Sequence, residues 1–355
     1  VTILSGYIGR LLLIRFLALS IGLVLFALAF DLLENADAVV ASTRVNSPLL
    51  NYALYRSATL ASRLLPVAAL LAAILSFVTI IRHSELVALW NSGLSPFRQF
   101  GILLPAAAVL AIVQYGVDNQ LMPPAADALR KWGIAEFQPA PLPTDDKGRL
   151  WVRSGNDIVS LRYDPKQPGL ITDLHIFRRD DSGKLILEVE SAIARKTFAG
   201  WQLKDAIVRP VGEVGEMTRG STYAWQADIQ LQDIELLRQP APELPLEALQ
   251  RISSADGFGV RPGYIFETWR QFRFVQILNP ILLVLLVAAV AQRFRRRGTA
   301  VWLIVNSVLV GFFYQILSAA AVSLGEAGLL PAMAAAWIPP SALTCGILAY
   351  AIRLE

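Results

Sequence analysis

Apolar residues fall in long unbroken runs toward both ends of the chain and in short alternating runs between them. A bilayer core about 30 Å thick is crossed by about 20 apolar helical residues. Six segments reach that length, at about 10–31, 60–82, 100–122, 273–292, 300–324 and 331–352. They form two triplets. The stretch between them, about 138–255, is polar and rich in turns. Within it, "RLWVRSGNDIVSLRY" reads as two strands around Ser-Gly-Asn-Asp, and "HIFRRDDSGKLILEVESA" as two more around Asp-Asp-Ser-Gly. "GWQLKDAIVRP" and "STYAWQADIQ" keep the period of two expected of half-buried strands. Pro-rich borders, "FQPAPLPTDD" and "RQPAPELPLE", read as semi-rigid linkers. The pattern predicts an α-helical polytopic membrane protein with six transmembrane helices, three plus three, and an inserted all-β domain of sandwich or jelly-roll type. The divisions fall at 1–137, 138–255 and 256–355.

Composition strengthens the membrane reading: 55% of the residues are hydrophobic and 17% charged, against about a quarter charged in a soluble domain. The single cysteine, Cys345, lies in an apolar run and reads as a small buried core residue, and one cysteine excludes a disulfide framework or a Cys-based metal site. The first apolar stretch is too long for a signal-peptide core and lacks a small-residue cleavage site, so it reads as a span. A net charge of +4 calls for no nucleic-acid partner. Its placement is informative, because short cytoplasmic loops collect Lys and Arg. Arg10, Arg82, Arg98, Arg293, Arg295, Arg296, Arg297 and Arg353 fall on one side, and only Arg44, Arg56 and Arg63 on the other. Both termini and the 82–99 loop are therefore expected in the cytoplasm. The β-domain is expected outside, in the periplasm of a bacterium with two membranes.

Enzyme chemistry finds no set of groups. His83 lies in the cytoplasmic loop and His175 on an outer strand, too far apart for one site. "DDSGKL" lacks the first glycine of a phosphate loop, and Leu185 stands where Ser or Thr is required, so it reads as a hairpin turn. No nucleotide-binding motif is present, so any work that consumes ATP with Mg must happen on another chain. Asp118 and Glu326 are placed near the outer ends of spans, where water is close, so ion-coupled transport gains little support. Polar and small residues appear within spans, among them Arg15 and Gly22 in the first and Asn306, Ser307, Gly311, Tyr314, Gln315 and Ser318 in the fifth. Ser307, Gly311 and Gln315 share one helical face. Two readings stay open: a helix–helix seam, or a wall of a cavity for an amphiphile.

The loop "RHSELVALWNSGLSP" is more than a turn. Ser84 can cap a helix over about 84–92, Glu85 complements its N-terminal dipole, Gly93 suits the residue after its end, and Pro96 stops it. Leu86, Val87, Leu89 and Trp90 form an apolar stripe. Such a helix either rests on the headgroups, anchored by Trp90, or docks into a partner. An acid in the first turn suits an anionic leaflet poorly and favours docking.

This stretch, set between three spans and an outer β-domain followed by three more, resembles the LptF/LptG family of lipopolysaccharide-export permeases. "YIGR" near the start and "GRLWVRSGNDIVSL" at the first strands are similar to its LptG branch. The resemblance covers essentially the whole chain. It implies a heterodimer with an LptF-like permease above an LptB-like ATPase dimer, with Glu85, Leu86, Leu89 and Trp90 docking in a groove of the ATPase. It also implies an LptC-like bitopic partner that receives lipopolysaccharide drawn from the inner membrane, and no covalent chemistry on this chain. "PPAADALRKWG" matches the family's outer segment, with Arg130 at a basic position, Lys131 beside it, and Gly133 where a second basic residue is expected. Arg130, Lys131, Ser307, Gly311 and Gln315 are the candidate lipopolysaccharide contacts. Family members can carry a lysine near the outer end of the first span, where this chain has "FDLLENAD" with Asp31, Glu34 and Asp37. The sister LptF subunit, another envelope-glycolipid permease and a membrane-anchored binding scaffold are the alternatives.

Overall fold

A computed structural model describes residues 2–41, 47–86, 91, 95–138, 144–154, 156–163, 170–197, 200–211, 218–225, 239–254, 257–258, 261–293 and 300–353. Six of its helical segments are long and apolar enough to cross a membrane. The first is α1 (Thr2–Val40) and the second α2 (Pro48–Arg82). In the third, α3 (Pro96–Gly116) runs through a π-helical turn (Val117–Leu121) into α4 (Met122–Trp132). After the short α5 (Leu246–Ser254) come α6 (Gly263–Ala291), α7 (Ala300–Glu326) and α8 (Ala332–Ile352). The first triplet is longer than the apolar windows foresee. At 39 residues α1 rises about 58 Å, nearly twice a hydrocarbon core. Neither Gly nor Pro interrupts residues 31–40, so the helix continues past its apolar run. Arg56 and Arg63, read above as loop residues, lie inside α2.

Lipid tails are as apolar as leucine, so helices associate through close packing of small residues. In α2, Ala68, Ala69, Ala72 and Ala73 are fully buried, and Leu283, Val287 and Ala288 of α6 join the same core. A Cβ added at Gly325 of α7 would lie 2.8 Å from both Ala335 Cβ of α8 and Thr268 Cγ2 of α6. That close approach holds the second triplet together. Of the most apolar window of α2, 67% is buried, against 17% for α1, so α1 presents most of its surface outward.

The chain divides into two compact units, residues 1–138 with 268–355, and Pro139–Glu267. The β unit runs to residue 267. Helix α5 and the small hairpin of β7 (Gly257–Phe258) and β8 (Arg261–Pro262) belong to the β unit, where β7 lies beside β1 and Arg261 Nη1 donates to the Gln239 carbonyl at 2.8 Å.

The main sheet comprises β1 (Leu150–Ser154), β2 (Asp157–Tyr163), β3 (Leu170–Arg179), β4 (Leu185–Thr197), β5 (Gly200–Pro210) and β6 (Thr218–Trp225). All pairings are antiparallel and in chain order, an up-and-down meander without the crossover of a jelly roll among the described strands. Register pairs such as Val152↔Val159, Ile158↔Phe177 and Val189↔Val208 follow the expected alternation. The sheet is strongly curled. Trp225 Nε1 on β6 donates to Asp157 Oδ2 on β2 at 2.9 Å, although four strand spacings of a flat sheet would separate them by about 19 Å. Arg178 closes on the same carboxylate from β3, with Nε–Oδ1 at 2.9 Å and Nη2–Oδ2 at 3.1 Å.

The turns are those the residues ask for. Asp180 accepts from Ser182 Oγ at 2.6 Å and from the Lys184 N–H at 2.8 Å, and Gly183 takes φ 85°, a left-handed backbone glycine tolerates. The Ser182 hydroxyl and the Lys184 N–H hold the Asp180 carboxyl below the usual carboxylate range. Asp145 is lowered likewise, first by the Arg149 N–H and then by the Trp151 indole.

Candidate functional site

The loop after α2 departs from its expected capping. His83 and Ser84 donate their N–H groups back to Thr79 and Ile81 at 3.0 Å, and Ser84 has φ 61°. That is the left-handed close of the preceding helix, whereas an N-cap residue is extended. Glu85 and Leu86 then resume helical backbone. Leu86 is 1% exposed and belongs to the core of the first unit, against Leu4, Ile8 and Ile80, so it anchors the segment inward where an outward docking contact was expected. Glu85 is half-buried at the surface, and its Oε1 accepts from Tyr7 Oη of α1 at 3.2 Å. Val87, Ala88, Leu89, Trp90 and Gly93 lie outside the described residues. Pro96 does not merely end the loop. It opens α3, whose N-cap Ser95 accepts from the Arg98 N–H.

At the opposite ends of the helices, Asp31 of the first span has internal partners. Asp31 Oδ1 accepts from Arg56 Nε at 2.9 Å and from Nη2 at 2.6 Å, while its Oδ2 accepts from Tyr52 Oη at 2.6 Å. Arg56 Nη1 donates onward to Glu136 at 2.6 Å. Asp31 is thus neutralised by a buried arginine and presents no bare charge to an anionic ligand. Glu34 and Asp37 remain exposed. Arg130 is buried with its guanidinium over the Phe137 ring, 5.7 Å from the centroid, and Arg56 approaches the same ring at 5.2 Å. Lys131 is exposed and pairs with Asp127 one turn earlier at 2.7 Å.

Asp118 does not sit near water. It is 1% exposed, because α3 continues through the π turn and carries it into the middle of a 36-residue span. Its oxygens accept from Ser62 Oγ at 2.5 Å and from Gln114 Nε2 at 2.7 Å, and Arg273 Nη1 of α6 donates to its carbonyl at 2.9 Å. This cluster ties the two triplets together. So does the buried contact of Gln292 Nε2 with Gln99 Oε1 at 2.6 Å, while Tyr314 with Asn279 joins α7 to α6 within the second triplet. Glu326, at the end of α7, accepts from Trp269 Nε1 at 2.5 Å. His83 is exposed, and His175 Nε2 lies 3.3 Å from Asp173 within the sheet.

On α7 the inward face is Ser307, Gly311, Tyr314 and Ser318, with Gln315 half-buried at its margin. A Cβ at Gly311 would fall 2.6 Å from Leu70 Cδ2, so Gly311 packs closely on α2, with buried Ser307 one turn earlier on the same face. The Ser307 hydroxyl, fully buried, has no hydrogen-bond partner among the described residues. Phe312, Phe313 and Ile316 face outward. Neither the Asp31–Arg56–Glu136 chain nor the Asp118 cluster was foreseen. The available signal was an acid on one span and a base or amide on another, since charges placed there need partners.

A comparison with family profiles matches residues 6–353 to the Lipopolysaccharide export system permease LptF/LptG. A search of curated proteins returns no match. The matched region takes in both triplets and the whole curled sheet. The chain belongs to the LptF/LptG family of lipopolysaccharide export permeases.

Proposed function

We propose that the chain is the LptG-type subunit of an ATP-driven exporter, paired with an LptF-like permease above an LptB-like ATPase dimer. ATP and Mg are bound on the ATPase, and this chain supplies the path for the lipid and the contact that receives the force. Its termini and the 82–99 loop lie in the cytoplasm and its β unit in the periplasm, as the arginine distribution of the sequence favours. Lipopolysaccharide passes from the inner membrane to the β unit and on to an LptC-like bitopic protein. The observation carrying this reading is Glu85: a surface acid on a segment bolted to the bundle by buried Leu86 and bonded to Tyr7 of α1. A partner that pulls on this carboxylate moves α1 and α2 together. Leu89 and Trp90 supply the apolar docking contacts beside Glu85. The outward faces of α1 and α7 suit a second permease, with Gln315 at the edge of that face and Ser307 and Gly311 fixing its backbone. Arg130 and Lys131 form the basic rim for the phosphorylated sugars, Lys131 by direct contact after exchanging Asp127 for phosphate, and Arg130 by shaping the rim over Phe137.

Co-expression with the sister permease and the ATPase tests the reading. A stable complex is expected to purify with the wild-type chain, and Glu85→Ala to lower lipid-stimulated ATP turnover at least about tenfold, as loss of a charge-assisted contact implies. Unchanged assembly and turnover in Glu85→Ala would overturn it.

A further inference from the structure

The helices of the second triplet do not close along their whole length. Between α6, α7 and α8 runs a groove of ≈ 450 Å³. Its walls are apolar, with Val290, Val310, Leu317, Leu343 and Ile347 among them. Polar groups cluster at one end: Arg293 just beyond α6, Asn306 in the second turn of α7, and Tyr350 in the last turn of α8. Leu317 and Pro339 mark the other end, about 16 Å away at 1.5 Å per helical residue. Arg293 is exposed and has no ion pair among the described residues, and Arg295, Arg296 and Arg297 follow it in the sequence.

The groove thus has an apolar body buried at membrane depth and a cationic mouth where three helices reach the membrane surface. Water has too few polar partners to occupy the body. An amphiphile with an anionic head matches both parts, since basic mouths between transmembrane helices attract lipid phosphates and arginine binds them through paired N–H donors. We propose that the groove holds an acyl chain of an anionic glycerophospholipid, with its phosphate at Arg293. On the orientation argued above, that mouth opens to the cytoplasmic leaflet, so the occupant is a resident lipid and not the exported glycolipid. The bound chain fills the wedge between α7 and α8 and fixes the splay of the helix whose other face carries Gly311.

Gly346 lines the groove, and a Cβ added there meets nothing within 4 Å, so a larger side chain enters without moving the backbone. The full chain is reconstituted in bilayers of equal phosphatidylglycerol and phosphatidylcholine, extracted gently, and its retained lipids counted by native mass spectrometry. The wild type is expected to retain one lipid and to favour phosphatidylglycerol about fivefold, the preference one surface arginine confers. Arg293→Gln should keep the lipid and lose the preference. Gly346→Leu should lose the lipid of either headgroup, with Ala342→Leu as a second filling variant should the first misfold. Added inorganic phosphate should displace nothing. The proposal is overturned if the wild type retains no lipid or shows no headgroup preference, or if folded groove-filling variants retain the wild-type count. It is equally overturned if free phosphate competes, which would mark an anion site alone. Retention is read without ATP or transport, so its outcome is independent of the export reading.

Discussion

Gly311 and Asp118 work in opposite ways at the same task of joining helices. At Gly311 the contact depends on what is missing: a methyl group would fall 2.6 Å from Leu70, itself 2% exposed and with little room to turn. Gly311→Ala is expected to destabilise the folded chain by about 1–3 kcal/mol, the usual cost of overpacking. In a Leu70→Ala background most of that cost should vanish, a coupling that thermal unfolding of the four variants in micelles would measure. At Asp118 the contact depends on satisfied hydrogen bonds. Asp118→Ala strands the Ser62 hydroxyl and the Gln114 amide, at about 1–3 kcal/mol for a buried group left unsatisfied. Asp118→Asn keeps one acceptor oxygen and should cost less. Unfolding temperatures equal to the wild type's for both variants would show that the cluster has no structural role. The sequence identified Ser307 and Gly311 as sharing a face but left seam and cavity open, because periodicity says which residues align and not what lies opposite. Asp118 was misplaced because a hydropathy window ends where polarity begins, and the helix does not.

The elements were legible wherever local chemistry fixes them. The hairpins around 154–157 and 180–183 are bounded by Gly, Asn and Asp, whose preferences act over two or three residues. Strand order is a long-range matter, and the alternation that suggested a sandwich fits a curled meander equally well. The helix in the 82–96 loop was inferred from Ser84 as its cap, but Ser84 serves α2, since a left-handed residue closing one helix competes with an extended residue opening the next. The Asp145 and Asp180 turns also set a pH dependence. Their folded carboxyls titrate below the unfolded value of about 3.9, so folding favours the ionised form. Their stabilisation is complete above about pH 4 and is lost as pH falls through the lowered folded values. Amide protection at Lys147, Arg149, Ser182 and Lys184, corrected for intrinsic exchange, should fall in acid. Asp180→Asn should remove that acid response at its own turn and leave the other turn unchanged.

Across the whole molecule, the three-plus-three layout with an inserted sheet is plain in the hydropathy pattern, because about 20 consecutive apolar residues have few uses other than spanning a bilayer. Pairing between spans was not legible, and neither was the extent of the first triplet. Arg56 reads as a loop charge until Asp31 and Glu136 are found around it. That buried chain of charges predicts that Arg56→Ala is among the most damaging substitutions in the protein, about 3–5 kcal/mol, because it leaves Asp31 without its partner. Arg56→Ala should collapse the yield of folded protein in gel filtration, and Asp31→Asn/Arg56→Gln should recover part of it. The most direct test of the account as a whole is release of lipopolysaccharide from proteoliposomes containing this chain, the sister permease and the ATPase, with an LptC-like acceptor supplied. ATP-dependent release with the wild type and its near abolition in Glu85→Ala, with the complex still assembled, is the expected result; release that proceeds without ATP, or undiminished in Glu85→Ala, would contradict the account.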